Sequence, residues 1–132
     1  MNSTLNKNRT AKRKVVLIID DEPGIREYVR DVLEKAGYTV LEAVNGKEGL
    51  ELLRGLHIDV LITDVVMPEK EGLETINSLR SKYRDLRIIA MSGAVNSGIY
   101  LKMAQQLGAA LCLQKPFLRD QILEAVGKVL GS

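Results

Sequence analysis

The sequence has little of several features, and each shortage excludes a class of protein. Its 132 residues include one cysteine, Cys112, which cannot form an internal disulfide and favours a reducing compartment. No apolar run approaches the roughly 18 residues of a membrane-spanning helix, and the N-terminus lacks the apolar region of an export signal. The G-x-G-x-x-G and P-loop patterns are absent, so nucleotide and dinucleotide enzymes have no support. We therefore expect a cytoplasmic protein without membrane contact.

Acidic residues are missing from the first 14 positions, which hold five of the 19 lysines and arginines: Lys7, Arg9, Lys12, Arg13 and Lys14. The rest of the chain carries 14 basic and 17 acidic side chains, which gives it a net charge of −3. We interpret residues 1–13 as a basic, disordered N-terminal arm, because short polar termini are seldom tied down. No aromatic residue lies among these cations, so we do not predict direct nucleic-acid binding.

Apolar runs of strand length alternate with helical spacing through the rest of the chain, whose hydrophobic (45%) and charged (27%) contents are those of a globular domain. Strands are predicted over residues 15–20, 38–43, 58–64, 86–92 and 109–114, where runs such as VVLIID suit strands covered on both faces. Helices are predicted between them, and a fifth over 117–130. One domain, 14–130, is therefore expected, with residues 131–132 as a linker or a cloning remnant.

Apolar spacing also predicts which face of each helix is buried. Ile99, Met103 and Leu107 define that face in the predicted fourth helix. The second helix is predicted to begin at Asn45, since Asn45 and Glu48 have the spacing of a capping box. In the fifth helix the inward residues are expected to be Leu118, Ile122, Ala125, Val126, Val129 and Leu130.

Five alternations of strand and helix predict a doubly wound α/β fold, in which a parallel sheet carries helices on both faces. The carboxyl ends of its strands meet at one edge, where such folds bind ligands. Polar residues follow four of the predicted strands at that edge: Asp20 and Asp21, Asp64, Ser92, and Lys115. We expect the acids to line a shallow crevice, where they need not be buried.

The acids in this group indicate a cation site. At an effective dielectric constant of 20, two unit charges 4 Å apart repel by about 4 kcal/mol, so crowding Asp20, Asp21 and Asp64 either destabilises the fold or binds a cation. Oxygen ligands suit Mg²⁺, which takes one or two carboxylates together with phosphate oxygens. Zinc is disfavoured, because no His or Cys lies beside these acids in the sequence. Lys115 adds a charge suited to a phosphoryl oxygen, and Ser92 adds a hydroxyl donor.

Phosphoryl transfer is the chemistry that this set suits, since an aspartate such as Asp64 can act as nucleophile and form an acyl phosphate. Four motifs at predicted strand ends carry a resemblance: DDEPG at 20–24, DVVMPEKEG at 64–72, MSG at 91–93 and KPF at 115–117. Together they closely resemble the receiver domain of two-component response regulators, the CheY-like family, over about residues 14–130. The resemblance implies a flavodoxin-like sheet with strand order 2-1-3-4-5.

The resemblance implies a role for each acid. Asp64 matches the phosphoacceptor, which takes a phosphoryl group from a phosphohistidine of a sensor histidine kinase or a histidine phosphotransfer protein. Asp21 and Asp64 match direct Mg²⁺ ligands, and Asp20 matches a residue that acts through water. The backbone carbonyl of Val66 matches the third protein ligand.

Ser92 matches the switch hydroxyl, and Lys115 matches the lysine that contacts the phosphoryl group and precedes Pro116 through a cis bond. Phosphorylation is then expected to change the face formed by the fourth helix, fifth strand and fifth helix, where a downstream effector binds. One position departs from the family, which usually has Tyr or Phe three residues before the lysine. Cys112 stands there, so the ring that usually swings inward is missing.

We expect a signalling switch that catalyses at most its own phosphotransfer and dephosphorylation, rather than an enzyme acting on other molecules. Homodimerisation is left open. A receiver-like interaction module that never accepts phosphate is an alternative, although such modules usually lack one of the key residues and this chain keeps them all. An unrelated Mg²⁺-dependent phosphohydrolase is a third interpretation, but it would need a general acid two residues after Asp64, where Val66 stands.

Overall fold

The computed structural model describes residues 13–65, 71–93 and 97–131, in which five strands and five helices alternate. The strands are Val15–Ile19 (β1), Thr39–Ala43 (β2), Val60–Asp64 (β3), Arg87–Ser92 (β4) and Leu111–Gln114 (β5). The helices are Pro23–Lys35 (α1), Gly46–Gly55 (α2), Glu71–Lys82 (α3), Ser97–Leu107 (α4) and Arg119–Gly131 (α5). Within these ranges no helix is both long enough and apolar enough to cross a membrane.

All four strand pairings are parallel, and the strands lie in the order β2-β1-β3-β4-β5. The predicted doubly wound sheet and its strand order are therefore confirmed. β1 and β3 are neighbours near the middle of the sheet, so the two strands that end in acids deliver them side by side.

The sheet separates two hydrophobic layers, because successive side chains of a strand point to opposite faces. Leu17 and Ile19 of β1 belong to the layer covered by α2, α3 and α4. Val16 and Ile18 belong to the layer covered by α1 and α5. Burial on both faces explains why this strand reads as a continuous apolar run rather than an alternating one.

Two helix boundaries follow local signals in the sequence. Asn45 caps α2, because its Oδ1 accepts a hydrogen bond of 2.9 Å from the Glu48 backbone N–H. The Glu48 side chain returns to the backbone N–H of Val44 at 3.0 Å, one residue before the N-cap. α1 is followed by Gly37, whose φ of +99° is readily available only to glycine.

The predicted inward face of the fourth helix is wrong at two of its three residues, since only Leu107 packs against the core. Ile99 and Met103 of α4 are 62% and 43% exposed, whereas Ala104 is fully buried and Tyr100 packs against the same core. The apolar residues of α4 cover more than half of the helix circumference, so spacing allowed more than one stripe. Its packing against α3, β4 and β5 decides which stripe is buried.

The predicted inward position of Leu118 is also wrong, since this residue is 72% exposed. α5 begins at Arg119, and the side chain buried just before it is that of Phe117. The other predicted inward residues of α5 all belong to or pack against the core layer shared with α1. Residues 1–12 of the predicted arm lie outside the described ranges, and the proposed domain boundaries remain predictions.

Candidate functional site

Four strands bring polar side chains to one edge of the sheet. Asp20 follows β1, Asp64 ends β3, Ser92 ends β4, and Lys115 follows β5. Because all these strands run in parallel, their carboxyl ends meet at the same side. Asp64 lies opposite Met91 in the β3–β4 register, and Met91 lies opposite Leu113 in the β4–β5 register. Lys115 therefore stands two residues beyond the level of Asp64, and its long side chain reaches back to the acids.

The ammonium group of Lys115 joins the acids of β1 and β3. Its Nζ donates hydrogen bonds of 2.8 Å to Asp20 Oδ2 and 2.8 Å to Asp64 Oδ2. A longer contact of 3.2 Å joins it to Glu22 Oε1. Asp20 and Asp64, which are far apart in sequence, thus contact the same ammonium group. Its positive charge offsets part of the repulsion expected among the acids.

The expectation that these acids need not be buried is wrong for two of them. Asp20 is 0% exposed and Asp64 is 4% exposed, whereas Asp21 and Glu22 are exposed. Lys115 covers the two buried carboxylates with a side chain that is only 11% exposed. Burying a charge is costly unless it is paired, which explains why the lysine lies directly against both.

Burial and pairing oppose each other in this group. Burial raises the pKa of the Asp20 carboxyl above its ordinary value of 3.8, and the hydrogen bond from Lys115 only partly offsets that effect. Burial alone would lower the pKa of Lys115, but its hydrogen bonds to Asp20 and Asp64 outweigh burial and hold that pKa above 10.5. The lysine therefore remains charged at neutral pH.

Ser92 and Gly93 lie beside the lysine. The Ser92 side chain is fully buried, and its backbone carbonyl accepts a hydrogen bond of 2.8 Å from the Lys115 N–H. A Cβ on Gly93 would lie 3.0 Å from Lys115 Cβ and 3.2 Å from its Cδ, so glycine leaves room for the lysine stem. The bond between Lys115 and Pro116 is cis, as the resemblance implied.

Four acids could hold a metal ion at this edge: Asp20, Asp21, Glu22 and Asp64 each offer a carboxylate oxygen, and these oxygens lie within 4.8 Å of one another. A donor set made only of oxygens suits Mg²⁺ and does not suit zinc. The residues present therefore fit the ion that the sequence predicted. Val66, predicted to add its carbonyl, lies outside the described residues.

Glu22 was not among the predicted site residues, although it both joins the acidic cluster and contacts Lys115. Its signal in the sequence is its place directly after Asp20 and Asp21 at the end of a strand. The backbone also favours its position, because the Glu22 N–H donates a bond of 2.8 Å to Asp20 Oδ1 and folds the turn back on itself.

Cys112 lies in β5, the last strand in the sheet order, and packs against the hydrophobic layer covered by α2, α3 and α4. Its thiol donates a hydrogen bond of 3.4 Å to the backbone carbonyl of Leu101 in α4, and partial burial raises its pKa. The Cys112 side chain is half-buried.

The sequence model of the response regulator receiver domain matches residues 16–127. The chain belongs to this family. The chemotaxis protein CheY of Thermotoga maritima is 34% identical over 117 residues, which are 88% of this chain and 97% of that protein. The CAI-1 autoinducer sensor kinase/phosphatase CqsS of Vibrio cholerae is 34% identical over 125 residues, 92% of this chain but 18% of that protein.

Solved receiver structures agree with the fold of this domain. The structure of the chemotaxis response regulator CheY4 of Vibrio cholerae superposes with a TM-score of 0.80 at 32% identity, covering 89% of this chain and 99% of that one. The receiver domain is the phosphoryl-accepting switch of two-component signal transduction, and this is the general function of the chain. Receiver domains generally use Mg²⁺, and their family partners are sensor kinases or phosphotransfer proteins.

Proposed function

We propose that Asp64 accepts the phosphoryl group, with Lys115 and Ser92 as the residues that contact it. The observation that carries this proposal is the hydrogen bond of 2.8 Å between Lys115 Nζ and Asp64 Oδ2 at the carboxyl edge of the sheet. An ammonium that already lies against the carboxylate is well placed to bond a phosphoryl oxygen attached to it. The Ser92 hydroxyl ends the neighbouring strand and supplies a second donor.

The reaction is a transfer from a phosphohistidine of a sensor histidine kinase or a histidine phosphotransfer protein. A carboxylate oxygen of Asp64 attacks phosphorus, and the new O–P bond forms as the P–N bond to the imidazole breaks. The electron pair of that bond stays on the imidazole nitrogen, which then takes a proton from solvent. The product is an acyl phosphate on Asp64.

Asp20, Asp21 and Asp64 are the residues that we expect to hold Mg²⁺, with the backbone carbonyl of Val66 as a further ligand. When bound, the ion supplies positive charge that stabilises the phosphoryl oxygens during transfer. The oxygen-only cluster supports this assignment. We also propose that the chain is not an enzyme for other substrates and catalyses at most its own phosphotransfer and dephosphorylation.

The output surface that we propose is the face of α4, β5 and α5, which would bind a downstream effector. Exposed apolar side chains support it, since Ile99 and Met103 of α4 lie on the surface instead of in the core. Cys112 replaces the usual aromatic residue on this face, so we expect α4 rather than a ring to carry the change. Amide hydrogen exchange before and after phosphorylation should then differ in α4 and β5; unchanged exchange there would contradict the assignment.

Intact mass after incubation with Mg²⁺ and acetyl phosphate tests the phosphoacceptor. Wild type should gain the mass of one phosphoryl group, Asp64→Asn should gain none, and EDTA should abolish the gain. Asp31→Asn, which changes an exposed carboxylate of α1, is the matched control and should behave as wild type. A gain in Asp64→Asn would contradict the assignment of Asp64. No gain in wild type, with Mg²⁺ shown to bind, would favour an interaction module that never accepts phosphate.

A further inference from the structure

We infer that Arg26 is a positioning residue, which fixes the acidic turn 20–22 so that its carboxylates converge on one cation. The inference rests on the proposed Mg²⁺-dependent function and concerns how this chain builds that site. Arg26 lies in the first turns of α1, directly behind the acids, and its side chain is only 14% exposed.

The Arg26 guanidinium bonds two groups that belong to different strands. Its Nη1 donates a hydrogen bond of 2.7 Å to the backbone carbonyl of Asp20, just beyond β1. Its Nε donates one of 3.1 Å to Glu42 Oε1 in β2. The backbone N–H of Arg26 also bonds the carbonyl of Glu22 at 3.2 Å. The side chain therefore ties the start of the acidic turn to β2, whereas the backbone bond to Glu22 belongs to the helix and would remain in any variant of residue 26.

The carbonyl of Asp20 belongs to the peptide plane that joins Asp20 to Asp21. Since that plane sets the directions in which both side chains leave the backbone, a donor on this carbonyl orients both carboxylates. Asp20 has further support, because its N–H bonds Ala43 O at 3.2 Å and its Oδ1 accepts the Glu22 N–H. The exposed Asp21 therefore depends most on the orientation of this peptide.

An electrostatic role and a positioning role for Arg26 predict opposite changes in Mg²⁺ affinity when the residue is replaced. The guanidinium is a positive charge close to a cation site, so by electrostatics alone its loss should strengthen Mg²⁺ binding. If Arg26 instead orients the ligands, its loss should weaken binding, and changes in groups that support metal ligands typically cost 10–100-fold in affinity. The sign of the change thus separates the two roles.

Arg30 provides a matched control on the same helix, one turn further on. It also bonds Glu42, and among the described residues its other hydrogen bonds go to Glu34 and the Val40 carbonyl rather than to the acidic turn. Arg30→Gln therefore removes one positive charge and one partner of Glu42, as Arg26→Gln does, while leaving the Asp20 carbonyl bonded. Glu42→Gln tests the other end of the Arg26 contact.

The experiment is calorimetric titration of the full chain with MgCl₂, together with thermal unfolding of each variant in EDTA. We expect Arg26→Gln to raise the Kd for Mg²⁺ by about tenfold, Arg30→Gln to change it less than twofold, and Glu42→Gln to raise it by a smaller factor than Arg26→Gln. The acetyl phosphate reaction of Arg26→Gln should recover at saturating Mg²⁺, because the nucleophile and Lys115 remain in place.

Equal or tighter Mg²⁺ binding by Arg26→Gln would overturn the inference, as would an equal loss in Arg30→Gln. If Arg26→Gln fails to fold, Arg26→Lys carries the test, since it keeps the charge but loses the planar fork that bonds both groups. A wild-type Kd in Arg26→Lys would then overturn the inference. Wild type that binds no Mg²⁺ would overturn the proposed metal site and this inference together, whereas wild-type binding with unaffected variants would overturn this inference alone.

Discussion

Removal of the Lys115 charge should strongly destabilise the chain when no metal is present. The Nζ lies 2.8 Å from oxygens of both Asp20 and Asp64, whose side chains are 0% and 5% exposed. At an effective dielectric constant of 20, each contact corresponds to a gross attraction of about 6 kcal/mol, most of which offsets the cost of removing the charges from water. Leaving buried carboxylates without their partner typically costs about 3–5 kcal/mol, and we expect a loss of that size for Lys115→Met.

Urea unfolding at neutral pH in EDTA measures this loss. Lys35→Met is the matched control, because it removes a lysine from an exposed pair with Asp31 and should cost less than about 1 kcal/mol. Mg²⁺ should stabilise Lys115→Met more than wild type, since the ion supplies the missing positive charge. If Lys115→Met were as stable in EDTA as Lys35→Met, the two buried carboxylates would not depend on the lysine, and the reasoning would be wrong.

The pH dependence gives a second check on the same contact. The folded pKa of Lys115 is raised above its ordinary value of 10.5, so its stabilisation is fully present below that value and is lost as the pH rises through the folded pKa. The difference in stability between wild type and Lys115→Met should therefore stay constant from neutral pH to about pH 10 and shrink only in stronger alkali. A difference that vanished by pH 9 would contradict the raised pKa.

Three further predictions concern single residues. Asp20→Asn should raise the free energy of unfolding in EDTA at pH 7, because burial raises the pKa of Asp20 and its ionised form therefore opposes folding. Urea unfolding measures this change, and a loss of stability would count against the reasoning. Gly93→Ala should slow phosphorylation by acetyl phosphate without weakening Mg²⁺ binding, because the new Cβ would lie 3.0 Å from the Cβ of Lys115. An unchanged rate of phosphorylation would show that the Lys115 side chain can shift away from the new methyl group at no cost. Asn45→Ala should cost about 1 kcal/mol in urea unfolding through loss of the α2 cap, and a cost near zero would mean that the bond to Glu48 contributes little.

Much of the fold could be predicted because its signals are local. The apolar strands buried on both faces and the cap at Asn45 each specify structure from a few neighbouring residues. The face of α4 could not be predicted in the same way. Apolar residues cover more than half of its circumference, and only contacts with α3 and the sheet decide that Ala104 is buried while Ile99 is exposed.

The site could be located from sequence but its physical state could not. Strand ends predicted that Asp20, Asp64 and Lys115 would lie at one edge, and the structure brings these three side chains together. Burial of the two acids depends on how closely α1 and the chain after β5 approach the sheet edge, which spacing does not report. The contact of Arg26 with the Asp20 carbonyl depends on backbone orientation, and no motif in the sequence records it.

The bond between Lys115 and Asp20 joins residues 95 positions apart, and this separation bears on how the chain reaches its native state. During synthesis the first four strands and both buried acids leave the ribosome before the lysine that pairs with them does. Until β5 docks, each early arrangement of the sheet must either keep those carboxylates in water or bury them without the charge of Lys115. Completion of the sheet and neutralisation of its acidic edge are therefore one event, which favours all-or-none folding over a stable four-stranded intermediate.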